Sequence, residues 1–215
     1  MTKHTRLALV TGSSRGIGRA IALDFAKNGL DILVTGRNST RLQTVKREIE
    51  DNGVKGHMVS ADLGVEDGID KIHNYILANG LSVDILVNNA AIIHPRLSLI
   101  DFEMLEWERV IDVNLIAAVK LTKLLLPNMI SQSYGKIINI SSIGGRKGAA
   151  GRSAYRVTKA ALISFTESIA AEVKSSGIDV NCVCPGGVLT EGYVEAFGPQ
   201  ENGDNNMMDP VEIAK

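Results

Sequence analysis

The chain has 215 residues, 45% of them hydrophobic and 22% charged, with 21 Gly, 5 Pro and a formal net charge of −1. That balance fits a globular chain with a sizeable core and excludes a disordered or fibrous one. Basic residues occur only in scattered pairs such as Lys46-Arg47 and Arg146-Lys147, which excludes the concentrated basic face that nucleic acid requires. No apolar run approaches the ~18 residues of a membrane span. The opening "MTKHTRLALV" lacks the long apolar region of a signal peptide.

Nearly continuous apolar runs recur along the chain: "LALV" (7–10), "DILV" (31–34), "GHMVSADL" (56–63), "DILV" again (84–87), "KIINI" (136–140) and "DVNCVC" (179–184). Segments with helical spacing lie between them, including 39–51 and 65–79. Doubly buried strands alternating with amphipathic helices predict an α/β fold with a parallel, doubly wound sheet of strand order 3-2-1-4-5-6 and helices on both faces. No linker or internal repeat divides the chain, so residues 1–215 are expected to form one domain.

"TGSSRGIG" (11–18) follows the first strand directly and opens the first helix. Glycines there allow a tight turn, and the helix N-terminus offers free amides to a phosphate. The loop is expected to hold a dinucleotide through Gly12, Ser14, Arg15, Gly16, Ile17 and Gly18. An NAD site places an acid at the end of the second strand to bind the ribose 2′-hydroxyl. This strand ends "LVTGRN" (33–38), with Arg37 there and Arg15 in the glycine loop. Two guanidinium groups suit a 2′-phosphate, so NADP(H) is expected over NAD(H).

The four histidines are dispersed and form no metal-ligand set. Cys182 and Cys184, at i and i+2 of a strand, share one face and are expected to be small buried residues. With free thiols and no export signal, the expected location is the cytoplasm. In "SAYRVTKAAL" (153–162), Tyr155 and Lys159 stand at i and i+4 of a helix. An ammonium near a phenol is expected to pull the phenol below its ordinary pKa of about 10.

From Leu7 to about Thr190 the chain resembles the short-chain dehydrogenase/reductase family. "TGSSRGIG" looks like the family's T-G-x-x-x-G-x-G loop, "NNAA" (88–91) its N-N-A-G, "DVNL" its helix asparagine, and "PGGVLT" (185–190) its P-G-x-x-x-T loop. Ser142 stands 13 residues before Tyr155, and Tyr155 and Lys159 form the Y-x-x-x-K pair. The resemblance implies a catalytic set of Asn114, Ser142, Tyr155 and Lys159. Tyr155 would be the proton donor, Ser142 would hold the substrate oxygen and Asn114 would anchor a water. Spacing favours Ser142 over its neighbour Ser141. The resemblance adds Asp62 (bonded to the adenine amino group), Leu63, Asn89 and Ala90 to the cofactor set. Pro185, Gly186, Val188 and Thr190 over the nicotinamide complete it, and Lys159 and Tyr155 also face the cofactor.

Two departures stand out. Ala91 replaces a usual glycine and is tolerable only with φ below zero. After "EGYVEAFGPQENGDNNMMDPVEIAK" the family's seventh strand is missing, so the expected sheet lacks its final edge strand and looks C-terminally truncated. The polar stretch 191–208 is expected to be a mobile substrate lid.

The resemblance is nearest to 3-oxoacyl-[acyl-carrier-protein] reductases and implies NADP(H)-dependent reduction of a ketone or 3-oxo group. An NAD(P)-dependent alcohol or sugar dehydrogenase, or a non-catalytic NADPH-binding relative, are the other readings. Ile143, Gly144, Arg146, Lys147 and Arg152 are expected to border the substrate. If Arg146, Lys147 and Arg152 share a face, they could receive an acidic acyl carrier. Expected partners are a small carbonyl or alcohol substrate, carrier-bound or free, and a second copy of the chain if the C-terminus permits.

Overall fold

Leu7–Thr11 (β1) has no position open to solvent, because the chain's other strands flank it on both sides. Its neighbours are Asp31–Gly36 (β2) and Ile85–Asn88 (β4), with Leu9 opposite Leu33 on one side and Leu86 on the other. Gly56–Ser60 (β3) pairs with β2, Gly135–Ile140 (β5) with β4, and Ile178–Val183 (β6) with β5. All pairs are parallel, as the alternation of strands and helices predicts, and the order is β3-β2-β1-β4-β5-β6, that of the expected Rossmann-type sheet. β3 and β6 lie at the edges. β6 correspondingly alternates between buried and open positions, whereas β1 is buried throughout. The structure, a computed structural model, describes residues 5–199 and 207–215.

Two-residue side-chain alternation divides the interior. Leu9, Leu33, Leu86 and Ile137 face one side, where they meet Ile72 of α3 (Gly68–Ala78) and Leu121 and Met129 of α5 (Ala117–Ser131). Val10, Ile32, Val34 and Ile140 face the other, against Ile21 of α1 (Gly16–Lys27) and Leu42 and Ile49 of α2 (Ser39–Glu50). Leu121 is fully buried. Leu121→Ala is therefore expected to cost about 3–5 kcal/mol through lost transfer energy and a residual cavity. Urea unfolding of the two proteins measures this, and a loss below about 1 kcal/mol would mean that α5 does not pack as described.

Met104–Ile111 (α4) runs into α5 through a π-helical stretch, Asp112–Ile116. Ser153–Glu172 (α6) follows β5 and a short 3₁₀ turn, Ile143–Arg146. After β6 come Glu191–Phe197 (α7) and Pro210–Ala214 (α8), the latter packed on α1. Of the stretch expected to be a lid, 191–197 is helix and residues 200–206 lie outside the described residues. Met208 is tied back to the loop after β6, donating its N–H to the Gly187 carbonyl and accepting from Leu189. No described helix is long and apolar enough to cross a membrane.

The expected third strand ends earlier than 63. The chain leaves the sheet at Ala61, whose N–H still bonds the Gly36 carbonyl, and this turns Asp62 toward the strand ends. Ser133 is the sole described non-glycine residue with positive φ. Ala91 therefore has the negative φ that its methyl requires.

Candidate active site

The loops after all six strands open into one cavity of about 1060 Å³ at the sheet's C-terminal edge. Ligands bind open α/β sheets at this edge. Gly12 opens the first of these loops with φ +62, and a methyl on it would lie 2.8 Å from the Cα of Ala90. A methyl on Gly18 would lie 2.4 Å from the Asn89 side-chain nitrogen and 2.6 Å from the Gly12 carbonyl oxygen. Only glycine lets β1, α1 and the turn after β4 approach this closely.

Thr11 and Asn89 lock that approach. The Thr11 hydroxyl accepts from the backbone N–H groups of Asn89 and Ala90 at 2.9 and 3.0 Å, and the Asn89 amide donates to the Thr11 carbonyl at 2.8 Å. Ser13 is buried and bonded to Val10 and Thr35, which leaves Ser14 facing the cavity. The first turn of α1 carries no acid and no side-chain cap, so its amides remain available to an anion. The cradle that a Cβ would fill and the uncapped helix end together fit a dinucleotide pyrophosphate.

Arg37 and Arg15 both line the cavity. Arg15 is engaged by Glu195 of α7 through both carboxylate oxygens, one of them at 2.6 Å. Asp62 also lines it. One of its oxygens accepts from the Arg109 guanidinium at 2.7 Å and the other from the Gly64 N–H at 2.9 Å. Burial pushes this carboxyl up, but the Gly64 N–H and Arg109 outweigh it and hold the group below the ordinary carboxylate range. Ile17, Leu63, Asn89, Ala90, Pro185, Gly186, Val188 and Thr190 also line the cavity. Gly18 is buried beneath the loop rather than in the lining.

At the other end stand Ser142, Tyr155 and Lys159. Ser141 and Ser142, adjacent on an extended chain, point apart. The Ser141 hydroxyl is buried and donates to the Lys159 carbonyl at 2.6 Å. Ser142 accepts from the Gly144 N–H at 3.0 Å and turns toward the phenol. A methyl on Gly144 would touch both the Ser142 oxygen, at 3.2 Å, and the Tyr155 ring, at 3.7 Å. One on Gly145 would strike the Lys159 backbone at 2.7 Å. The "IGG" turn is thus what lets β5 deliver Ser142 against α6.

The electrostatics differ from the expectation that Lys159 lowers the phenol. Lys159 is only 2% exposed, donates to the Ile140 carbonyl at 2.7 Å, and sits 5.7 Å from the Tyr155 ring centroid. Desolvation pulls its ammonium down to about 8, with the Cys182 and Cys184 thiols acting in the opposite direction. Burial pushes the Tyr155 phenol above its ordinary value. The Ser142 hydroxyl, then Arg152 and Arg156, pull it back only in part. In this geometry the cations that favour phenolate are arginines, because the lysine's charge is spent on a carbonyl.

Asn114 is buried and does not line the cavity. Its side chain accepts from the Ile92 N–H at 2.6 Å and donates to the Ile92 carbonyl and the Thr158 hydroxyl. None of these bonds goes to Lys159. Of the three cations expected to share a face, Arg152 lines the cavity, while Arg146 and Lys147 are exposed outside it. Cys182 and Cys184 do share a face, with sulfurs 4.0 Å apart, but they are half-buried because β6 is an edge strand.

Sequence reasoning missed His94, Arg96, Arg109, Arg156 and the α7 residues Tyr193, Glu195 and Phe197. The Tyr155 N–H, a free donor in the first turn of α6, is accepted by His94 Nε2 at 3.3 Å, while the opposite ring nitrogen donates to the Pro95 carbonyl. The signal for the 94–96 pair was a polar His-Pro-Arg interrupting an apolar stretch just after "NNAA".

A sheet of this order with a phosphate cradle at one end of its crevice and Ser, Tyr and Lys at the other defines a nucleotide-dependent oxidoreductase of the carbonyl and alcohol pair. The sequence pattern of the short chain dehydrogenases matches residues 6–200, and the chain belongs to that family. It is similar to the 3-oxoacyl-[acyl-carrier-protein] reductase FabG of Aquifex aeolicus (strain VF5), with 43% identity over 189 residues, 86% of this chain and 75% of the relative. A second relative, the 3-oxoacyl-[acyl-carrier-protein] reductase of Synechocystis sp. (strain ATCC 27184 / PCC 6803 / Kazusa), is 38% identical over 86% of this chain and 75% of its own. Among solved structures, a short-chain dehydrogenase from Sphingobium yanoikuyae in complex with NADPH superimposes with a TM-score of 0.89 at 28% identity, covering 97% of this chain and 81% of that one.

Proposed function

We propose that the protein is an NADPH-dependent reductase of a ketone or 3-oxo group, with Tyr155 as the proton donor. The observation that carries this reading is the convergence of the Ser142 hydroxyl and the Tyr155 ring on Gly144, in the cavity that begins at the glycine cradle. The names of the FabG relatives and of the NADPH-bound neighbour support it.

The amides at the start of α1 hold the pyrophosphate, Arg15 and Arg37 the 2′-phosphate, and Asp62 the adenine amino group. Nicotinamide, when bound, supplies the hydride. Negative charge then grows on the substrate oxygen. Ser142 donates a hydrogen bond to that oxygen, and Tyr155, kept protonated by burial, gives it a proton. Lys159, 5.7 Å from the Tyr155 ring centroid, would carry the charge that stabilises the phenolate left behind, were its ammonium to turn from Ile140 toward the phenol. Asn114 braces Ile92 and Thr158 beneath them. The chain works as one dinucleotide-binding and catalytic unit, with α7 as a substrate lid that Glu195 fastens to Arg15.

The direct test follows the loss of NADPH absorbance over a panel of ketones and 3-oxoacyl thioesters. Turnover of any of them is expected. Tight NADPH binding without turnover across the panel would sink the reading.

A pH dependence follows from Lys159. Its ammonium is charged below about 8 and neutral above. The reduction rate at saturating substrate is therefore expected to fall as pH rises through about 8 and to be flat just below it. A rate that holds steady well above that point would remove Lys159's charge from the mechanism. Stability moves the opposite way. The unfolded lysine titrates near 10.5, so between about 8 and 10.5 the unfolded chain binds the extra proton and folding is favoured by rising pH.

A further inference from the structure

The substrate end of the cavity is lined by three guanidinium groups, Arg96, Arg152 and Arg156. None of them is paired with a carboxylate among the described residues. Arg156 donates to the Lys147 carbonyl. Arg96 is held beside Arg152 by its own backbone, since the Leu97 N–H bonds the Gly151 carbonyl at 3.1 Å and a methyl on Gly151 would meet the Arg96 Cβ at 3.1 Å.

Arg152 is half-buried. Its central carbon lies 4.8 Å from the Tyr155 ring centroid and 4.5 Å from that of Phe197. These aromatic contacts position the cation without using its N–H donors, and none of those donors finds an acceptor among the described residues. A half-buried guanidinium with like charges beside it and no counter-ion among the described residues destabilises the fold. Burial pushes its pKa below the ordinary value; the Tyr155 phenol opposes this, and Arg156 and Arg96 add to the lowering. Such a cluster is relieved when an anion enters.

We infer that Arg152, flanked by Arg96 and Arg156, is a carboxylate-binding residue of the substrate pocket, and that the carbonyl substrate is an oxo acid whose carboxylate lies within a few bonds of the reacting carbonyl. The inference rests on the reductase reading and narrows its substrate. A planar fork of donors matches carboxylate and phosphate alike. Distance decides between them. The Arg152 guanidinium carbon lies 4.8 Å from the ring centroid of the tyrosine that protonates the carbonyl, whereas the phosphate of a carrier's pantetheine arm lies that whole arm away from its thioester carbonyl.

The test compares pyruvate, acetoacetate and levulinate with their methyl esters as substrates of the wild-type protein and of Arg152→Gln. In the wild type, at least one acid is expected to exceed its ester in kcat/KM by about 10- to 100-fold, the value of a charge-assisted pair. In Arg152→Gln the acid-to-ester ratio of kcat/KM is expected to fall to about one, mainly through KM for the acid. Equal use of acids and esters would overturn the inference and leave the reductase reading standing. If Arg152→Gln fails to fold, the acid-to-ester ratio of the wild type decides alone.

A binding arm is independent of turnover. In the presence of NADP⁺, at least one of the three oxo acids should raise the thermal unfolding midpoint of the wild type and not of the variant, while inorganic phosphate raises neither. Should nothing be reduced at all, the reductase reading fails, and this arm still judges the carboxylate site. Stabilisation by phosphate alone, or by neither anion, would overturn it.

Discussion

Tyr155→Phe is expected to lower the rate of carbonyl reduction by roughly 10²–10⁴-fold, the contribution of a positioned general acid, while NADPH binds as before. The substitution removes one oxygen and keeps the ring. Its contacts with Arg152, 4.8 Å away, and with Gly144 are with the ring itself and survive the change. The backbone bond from the Tyr155 N–H to His94 is likewise indifferent to the side chain. Folding should therefore be preserved, so that lost turnover reports on the proton. Burial holds the phenol above its ordinary pKa, so near neutral pH it is a loaded donor rather than a phenolate. Fluorescence titration with NADPH separates the two effects. A variant that still reduces its ketone within about tenfold of wild type would show that the proton comes from elsewhere.

Arg37→Asp is expected to weaken NADPH binding by about 10- to 100-fold, the loss of one charge-assisted contact plus repulsion of the 2′-phosphate. NADH binding should hold or improve, because an acid at the end of β2 suits a ribose 2′-hydroxyl. The two arginines are not equivalent. Arg37 has no carboxylate partner among the described residues, whereas Arg15 must exchange Glu195 for the phosphate. Arg15→Ala should therefore cost less than Arg37→Asp. Glu195→Gln should tighten NADPH and leave NADH unchanged, because it frees a guanidinium that only the 2′-phosphate uses. Dissociation constants for both nucleotides at low and moderate salt would check all three variants. Equal NADPH affinity in Arg37→Asp and wild type would end the argument from charge.

Much of this architecture can be read from residue order alone. A strand buried on both faces cannot alternate, so "LALV" and the two "DILV" runs announce central positions in a parallel sheet. The glycine loop is legible because Gly12 and Gly18 stand where any side chain would collide with Asn89, Ala90 or the loop's own backbone. Steric exclusion of this kind leaves a mark in the sequence itself. Tyr155 and Lys159 are legible as a pair because i and i+4 share a helix face, whereas Ser142 is legible only through its resemblance to the family's motif.

What residue order left undecided depends on where side chains far apart in the chain come to rest. Ser141 and Ser142 are chemically identical neighbours, and only the packing of the "IGG" turn on α6 sends one to the Lys159 carbonyl and the other toward the phenol. The i, i+4 pairing placed Lys159 near Tyr155, but burial against Ile140 turned its ammonium aside and left arginines as the cations facing the phenol. Arg15 and Glu195 are 180 positions apart, as remote as the glycine loop is from α7. Local patterns carry sterics and periodicity. The charge around the reacting group is set by long-range contacts and desolvation, and these exist only once the chain has closed on itself.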